Sequence, residues 1–190
     1  MTKEQISNEL EHMSALRVSR QRVANLVVQD ENNFKQLLDI VFDVDNKTSI
    51  KAAWVVEFVC KDKMLWLYNH LDYFTKNMHK AHFGSVVRPL AKICELLVLQ
   101  NKRTPKLNFT LKHKQRIAET TFDWLISDHK VAVKAYSMTS LFILGKEIDW
   151  IHEELKMIII SNINDSSKAY EARGKFVLKE IEKLNLKKRK

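Results

Sequence analysis

Glycine and proline are nearly missing from this chain of 190 residues, which has three of the first and two of the second. Average usage would supply roughly 13 and 9. Tight turns between strands need residues that accept positive φ, and loops that cradle phosphates need glycine. Their scarcity therefore excludes most sheet folds and the phosphate-loop folds, and leaves helices joined by short polar links. Long apolar runs are also absent. No stretch approaches the roughly 18 apolar residues of a membrane span. The opening "MTKEQISNELEH" is charged and does not read as a signal peptide. There are two cysteines, Cys60 in "EFVCKD" and Cys94 in "AKICELL". Both sit in apolar segments and read as buried thiols, not as a disulfide framework, which implies a reducing cytoplasm. The sequence holds no GxSxG, no P-loop and no HExxH. No enzyme, cofactor or metal is expected.

What the chain does contain is positive charge and helical periodicity. Its formal net charge is +9, and Lys187, Lys188, Arg189 and Lys190 contribute four of it. This run reads as a disordered basic tail on a single domain spanning residues 1–186. Ile6, Leu10 and Met13 recur at helical spacing, as do Phe34, Leu37, Leu38, Val41 and Phe42. Ten helices are expected, near 3–12, 15–29, 31–43, 47–60, 62–79, 84–100, 110–127, 129–145, 148–162 and 166–185. Candidate caps are Asp30 or Asn32, Asp45 or Asn46, Ser85, Asp128, and Asp165 or Ser166. Pro89 is expected in a first turn, where its missing N–H costs least. One real loop, "NKRTPKLNF", covers 101–109.

The chain also repeats itself. "DNKTSIKAAW" from Asp45 and "DHKVAVKAYS" from Asp128 share their aspartate, Lys47/Lys130, Lys51/Lys134 and Ala52/Ala135, at an offset of 83 residues. The ten helices group into five hairpins with a loose period of about 30 to 45 residues, the range of stacked helical repeats. "IKAAWVVEFVC" and "VKAYSMTSLFILG" are nearly uncharged after their first turns. A helix apolar on every side must be covered on several sides, as the inner helices of a stacked array are. Ala53 and Ala135 are then core positions.

These repeats resemble the HEAT/armadillo superfamily over essentially the whole chain. The resemblance implies an all-α, right-handed α-α superhelix of about five hairpins. "RQRVANLVVQ", "IKAAWVVEFVC", "VRPLAKICELL" and "KAYSMTSLFILGKEIDWI" are similar to short bacterial helical-repeat proteins often labelled adenylosuccinate lyase. The lyase signature Ser-Ser-x-Met-Pro-x-Lys-x-Asn has no counterpart here. The serine pair Ser166-Ser167 runs into Lys168 and Ala169, and there is no Met-Pro.

The functional lead is a set of cations in the first turns of inner helices. Lys47 and Lys51, Arg88 and Lys92, and Lys130 and Lys134 are i, i+4 pairs, and residues four apart share a helix face. Stacking would align them into a ladder, extended by Lys168, Arg173 and Lys175 at one end and Arg17, Arg20 and Arg22 at the other. Trp54 and Phe58 lie on the face of Lys47 and Lys51, an interleaving suited to phosphate and stacking contacts. The plainer alternative is a solvated rim neutralised by Asp43, Asp45 and Asp128. The functional expectation is a monomeric, cytoplasmic, non-enzymatic scaffold binding an acidic protein through Lys47, Lys51, Trp54, Arg88, Lys92, Lys130 and Lys134. A nucleic-acid backbone is the alternative partner. A third reading is a helical-repeat glycosylase of the alkylation-repair kind, imitated by Trp54 with Glu57 or Trp124 with Asp123. His79 and His82 have ligand spacing, with His70 on the same helix, but read as a solvated helix end. Trp66, Trp124 and Trp150 are expected in the core between repeats.

Overall fold

Thr2 opens the first helix through a reciprocal cap. Its hydroxyl accepts from the Gln5 N–H at 3.2 Å, and the Gln5 side chain accepts from the Thr2 N–H at 2.9 Å. In the computed structural model, which describes residues 1–106 and 108–188, the described residues form eleven α-helices and one 3₁₀ turn. No strand occurs among the described residues. The helices are α1 (Lys3–Glu11), α2 (Arg17–Val27), α3 (Asn32–Val41), α4 (Thr48–Asp62), α5 (Met64–Tyr68) and α6 (Leu71–Asn77). After the 3₁₀ turn at Met78–Lys80 come α7 (Gly84–Arg103), α8 (Leu111–Ile126), α9 (Val131–Leu144), α10 (Ile151–Asn162) and α11 (Lys168–Lys188). The fold is all-α, as the helical period predicts.

Several expectations need correction. The helix predicted over 62–79 is interrupted twice. Lys63 (φ −126°, ψ 45°) ends α4, and His70 (φ −123°, ψ 16°) separates α5 from α6. Met64, Leu67, Tyr68, Leu71, Phe74 and Met78 are all buried through both breaks, so the apolar period runs on while the backbone departs from it. Asp30 and Asn46 do satisfy helix starts, accepting from the Asn32 and Thr48 N–H groups at 2.9 Å each. Ser85 is instead inside α7, and Lys130 occupies the N-cap position expected for Asp128. Ser167 accepts from the Tyr170 N–H at 3.3 Å, while the Ser166 hydroxyl donates back to the Asn162 carbonyl. Pro89 lies in the second turn of α7, not the first. That helix runs to Arg103, which shortens the loop expected over 101–109; Leu107 lies outside the described residues. At the other end α11 continues through Lys187 and Lys188, two residues into the expected tail. Arg189 and Lys190 lie outside the described residues.

The chain divides into two compact units, Met1–Ile93 with Leu107–His113, and Cys94–Lys106 with Lys114–Lys190. In the first, α2 and α3 both pack on α4, and α1 packs on α3. Ile6, Leu10, Val27, Phe34, Leu37, Leu38, Ala52, Ala53 and Val56 are fully enclosed there. Each large side chain so buried contributes roughly 1.5–3 kcal/mol before entropy is counted. In the second unit α9 packs on both α10 and α11, burying Leu141, Leu144, Leu155, Ile159 and Ile181. Thus α4 and α9, the two nearly uncharged segments, are covered by more than one neighbour. Ala135 is the exception to the core expectation and is only half-buried.

The tryptophans divide as well. Trp124 is buried, and Trp66 is half-buried with its ring edge-on to Phe34 at 6.2 Å. Trp150 is 49% exposed, stacked on Phe122 at 5.4 Å, and is not a core residue.

Candidate binding cleft

The predicted cations do not share one environment. Lys47 and Lys130 sit at the N-cap positions of α4 and α9, and both are exposed. One turn on, Lys51 is half-buried and donates its ammonium to the Glu11 carbonyl at 2.8 Å, closing the C-terminal end of α1. Lys134 is half-buried in α9, where with burial it holds the His129 imidazole below its ordinary pKa. Burial is the larger cause. Lys92 is half-buried in α7. Four of the six residues expected to extend the ladder, Lys168, Arg173, Lys175 and Arg22, are neutralised by the chain itself. Glu171 takes both Lys168 (3.1 Å) and Lys175 (2.6 Å), and its carboxyl is held below the usual range by those hydrogen bonds, Lys175 first. Arg173 reaches the buried Glu95 at 3.7 Å, and Arg22 pairs with Glu9 at 2.8 Å.

Within the first unit the structure gathers a different set. Arg17 and Arg20 of α2, Glu57, Phe58, Lys61 and Asp62 of α4, and Arg88 of α7 line a cleft of about 420 Å³ together with Gln21. Its floor is Glu57, only 6% exposed. A carboxylate that far from water must be compensated. The compensation is double: Arg88 Nη2 donates to one oxygen at 2.8 Å and Lys61 Nζ to the other at 2.9 Å. The wall is aromatic. Trp54 and Phe58 are i, i+4 on α4, and the Arg20 guanidinium lies over both rings, 5.3 Å and 5.7 Å from their centroids. Lys61 Nζ lies 5.0 Å from the Phe58 ring.

Of the seven predicted binding residues, Arg88 lines this cleft, and Trp54 supports Arg20, which also lines it. Lys47 and Lys51 belong to the same unit without lining it, and Lys130 and Lys134 belong to the other unit. Sequence reasoning gave Arg20 only a peripheral place and missed Glu57 as the hub of an ion network. The Glu57–Lys61 half of that network was legible as an i, i+4 pair. The Arg88 half, 31 residues away, had no sequence signal.

The remaining candidates carry less chemistry. His79 and His82 are both exposed, with His82 Nε2 4.0 Å from an Asp45 oxygen. Among the described residues no three His, Cys, Asp or Glu side chains are placed to hold a metal ion. Cys60 and Cys94 are buried thiols not joined in a disulfide, and burial pushes the Cys94 thiol far above its ordinary pKa, away from thiolate chemistry. No helix among the described residues is long and apolar enough to cross a membrane.

No curated protein and no solved structure matches the chain. The paired helices, the covered inner segments and the repeat at 83 residues agree with one family pattern, that of the HEAT repeat domain, which matches residues 6–181. The chain belongs to the HEAT repeat domain family.

Proposed function

We propose that this HEAT repeat chain is a non-enzymatic, cytoplasmic binding module whose cationic surface recognises an acidic protein partner. The observation that carries the reading is the repeated placement of Lys47 and Lys130. Both occupy the N-cap position of a multiply covered helix, and both are exposed. A cation there opposes the helix macrodipole by about 0.3–1 kcal/mol, and Asp or Asn would serve the helix better. Spending stability twice in the same register suits a surface selected for what it binds. The partner-facing set is Lys47, Lys51, Trp54, Arg88, Lys92, Lys130 and Lys134, with Lys51 and Arg88 also serving structural bonds.

The non-enzymatic reading is supported where Glu57 adjoins Trp54. Both Glu57 oxygens are engaged by cations, and the Trp54 ring is covered by Arg20. This is unlike a base-excising site, which needs a free carboxylate and an open aromatic face. The two buried thiols, not joined in a disulfide, suit a reducing compartment.

Nucleic-acid backbone binding is the second reading, favoured by the net charge of +9. Binding of labelled oligo-glutamate and of labelled mixed-sequence duplex DNA, each titrated with salt, separates the two. A protein-binding module holds oligo-glutamate and binds DNA more weakly at the same salt. Tighter DNA binding with a steep log–log slope in salt would assign the surface to phosphates.

A further inference from the structure

The cleft between α2, α4 and α7 has two cations more than it uses. Lys61 and Arg88 are committed to Glu57. Arg17 and Arg20 have no carboxylate partner among the described residues. They are i, i+3 on α2, so both project from one side of its first turn. Leu16, at the N-cap position, makes no side-chain hydrogen bond to that turn, so nothing acidic from the chain's own cap opposes them.

Arg20 is the more informative of the two. Its guanidinium lies over the Trp54 and Phe58 rings, 5.3 Å and 5.7 Å from their centroids, which hold the head against the aromatic faces. Its Nε is buried and has no hydrogen-bond partner. A buried donor without an acceptor is rare in a native fold, so the chain's own groups leave this guanidinium incompletely satisfied. Arg20 is thus aromatically clamped, charged, unpaired and placed on the wall of a cleft.

We propose that this cleft is a carboxylate-recognition site that takes an acidic side chain from a partner protein segment, with Arg20 as the fork that grips it and Arg17 at the mouth. The proposal deepens the acidic-partner reading by moving its centre from the lysine ladder to Arg20, and it rests on that reading. Two observations favour a peptide over a nucleic-acid backbone. Glu57 and Asp62 line the same cleft, so a continuous phosphate chain would bring charge after charge past them, whereas one inserted side chain brings a single charge, with Glu57 already neutralised by Arg88 and Lys61. Leu16 and Val18, which flank Arg17, are 72% and 81% exposed. An apolar residue beside the acidic one in a peptide would cover them, and a sugar–phosphate chain has nothing to offer there. Guanidinium and carboxylate match as planar, two-pronged partners, so a lysine is not equivalent at this position.

The test is the affinity of labelled oligo-glutamate for the full chain and four variants, with labelled mixed-sequence duplex DNA alongside. Arg20→Lys keeps the charge and loses the fork; it should weaken oligo-glutamate binding roughly tenfold or more. Arg17→Gln should weaken it by a smaller factor. Asp62→Asn removes an exposed competing carboxylate without touching the Glu57 network, and should tighten binding, a result that a merely structural role for the cleft would not give. The fourth, Lys130→Glu/Lys134→Glu, lies in the other unit and separates the two ideas. Loss of binding in that variant but not in Arg20→Lys would leave the ladder standing and sink the cleft. Loss in Arg20→Lys but not in the ladder variant would establish the cleft alone. The cleft proposal is also overturned if oligo-glutamate fails to bind the unaltered chain, or if DNA binds more tightly and loses affinity in Arg20→Lys. Thermal midpoints measured on the same samples exclude unfolding as the cause of any loss.

Discussion

Glu57 and Arg88 are 31 residues apart in the chain and joined by a hydrogen bond of 2.8 Å, which ties α4 to α7 at the floor of the cleft. Glu57 is almost without water, while Arg88 is a third exposed at its side chain. Removing the arginine should therefore hurt more than the bond itself is worth, because it strands a buried carboxylate on Lys61 alone. Arg88→Met should destabilise the fold by about 1–3 kcal/mol. Arg88→Met with Glu57→Leu should recover part of that loss, since no charge is then left unpaired. Chemical denaturation of these two variants and of Glu57→Leu alone reads the coupling; additive losses would mean that the pair is not coupled.

Gly145 has a different reason to be glycine. Its φ is −65°, ordinary for any residue, so the constraint is space. A Cβ there would stand 2.2 Å from the His152 ring, which is buried, hydrogen-bonded to the Phe142 carbonyl at 3.0 Å and stacked on Phe142 at 5.8 Å. Gly145→Ala should cost roughly 1–3 kcal/mol by overpacking. An unchanged thermal midpoint would show that His152 can vacate its position freely.

The core expectation for Ala53 and Ala135 becomes a contrast. Ala53 is fully enclosed in α4, so Ala53→Asp should unfold or aggregate the protein, losing at least about 3 kcal/mol. Ala135 is half-buried, and Ala135→Asp should leave a folded, measurably weaker protein. Circular dichroism melts of the pair check this; equal behaviour would contradict the unequal burial.

His70 lies beside Phe34, with ring centroids 5.9 Å apart, and its pKa is held below 6.5 by burial first and the Lys35 charge second. His129 is depressed in the same direction by burial and Lys134. The unfolded chain therefore takes up protons that the folded chain refuses. Stability is fully present above the ordinary value of 6.5 and is lost as pH falls through the folded values. The thermal midpoint should drop on acidification below that point, and less so in His70→Gln. A midpoint insensitive to pH in this window would contradict the depressed values.

The helices were legible because their evidence is local and periodic: α4 spans 48–62 where 47–60 was expected, and α9 spans 131–144 inside 129–145. The two breaks after α4 were not, because neither Pro nor Gly marks Lys63 or His70 and the buried positions keep their helical spacing across both. Trp150 was misplaced because an aromatic at helical spacing satisfies a stacking partner, here Phe122, as readily as a core. The site was half legible. First-turn lysines are visible in sequence, but the Lys51 bond to the Glu11 carbonyl spans 40 residues and the Arg20 clamp depends on how α2 meets α4. Such long-range placements leave no periodic trace.

That distinction decides how the cationic surface is best probed. Reversing Lys51 or Arg88 would break structural bonds along with any binding, so a loss of affinity would be ambiguous. Lys47 and Lys130 are exposed N-cap residues, and Lys134 is half-buried without serving either bond. Glu near a helix N-terminus is, if anything, favourable. The most direct measurement is oligo-glutamate affinity at low salt for Lys47→Glu/Lys130→Glu/Lys134→Glu combined with Arg20→Lys. An acidic-partner module should keep its melting temperature and lose affinity by roughly a hundredfold, since two charge-bearing sets are removed together. Affinity equal to that of the unaltered chain, in a protein that melts as before, would contradict the account.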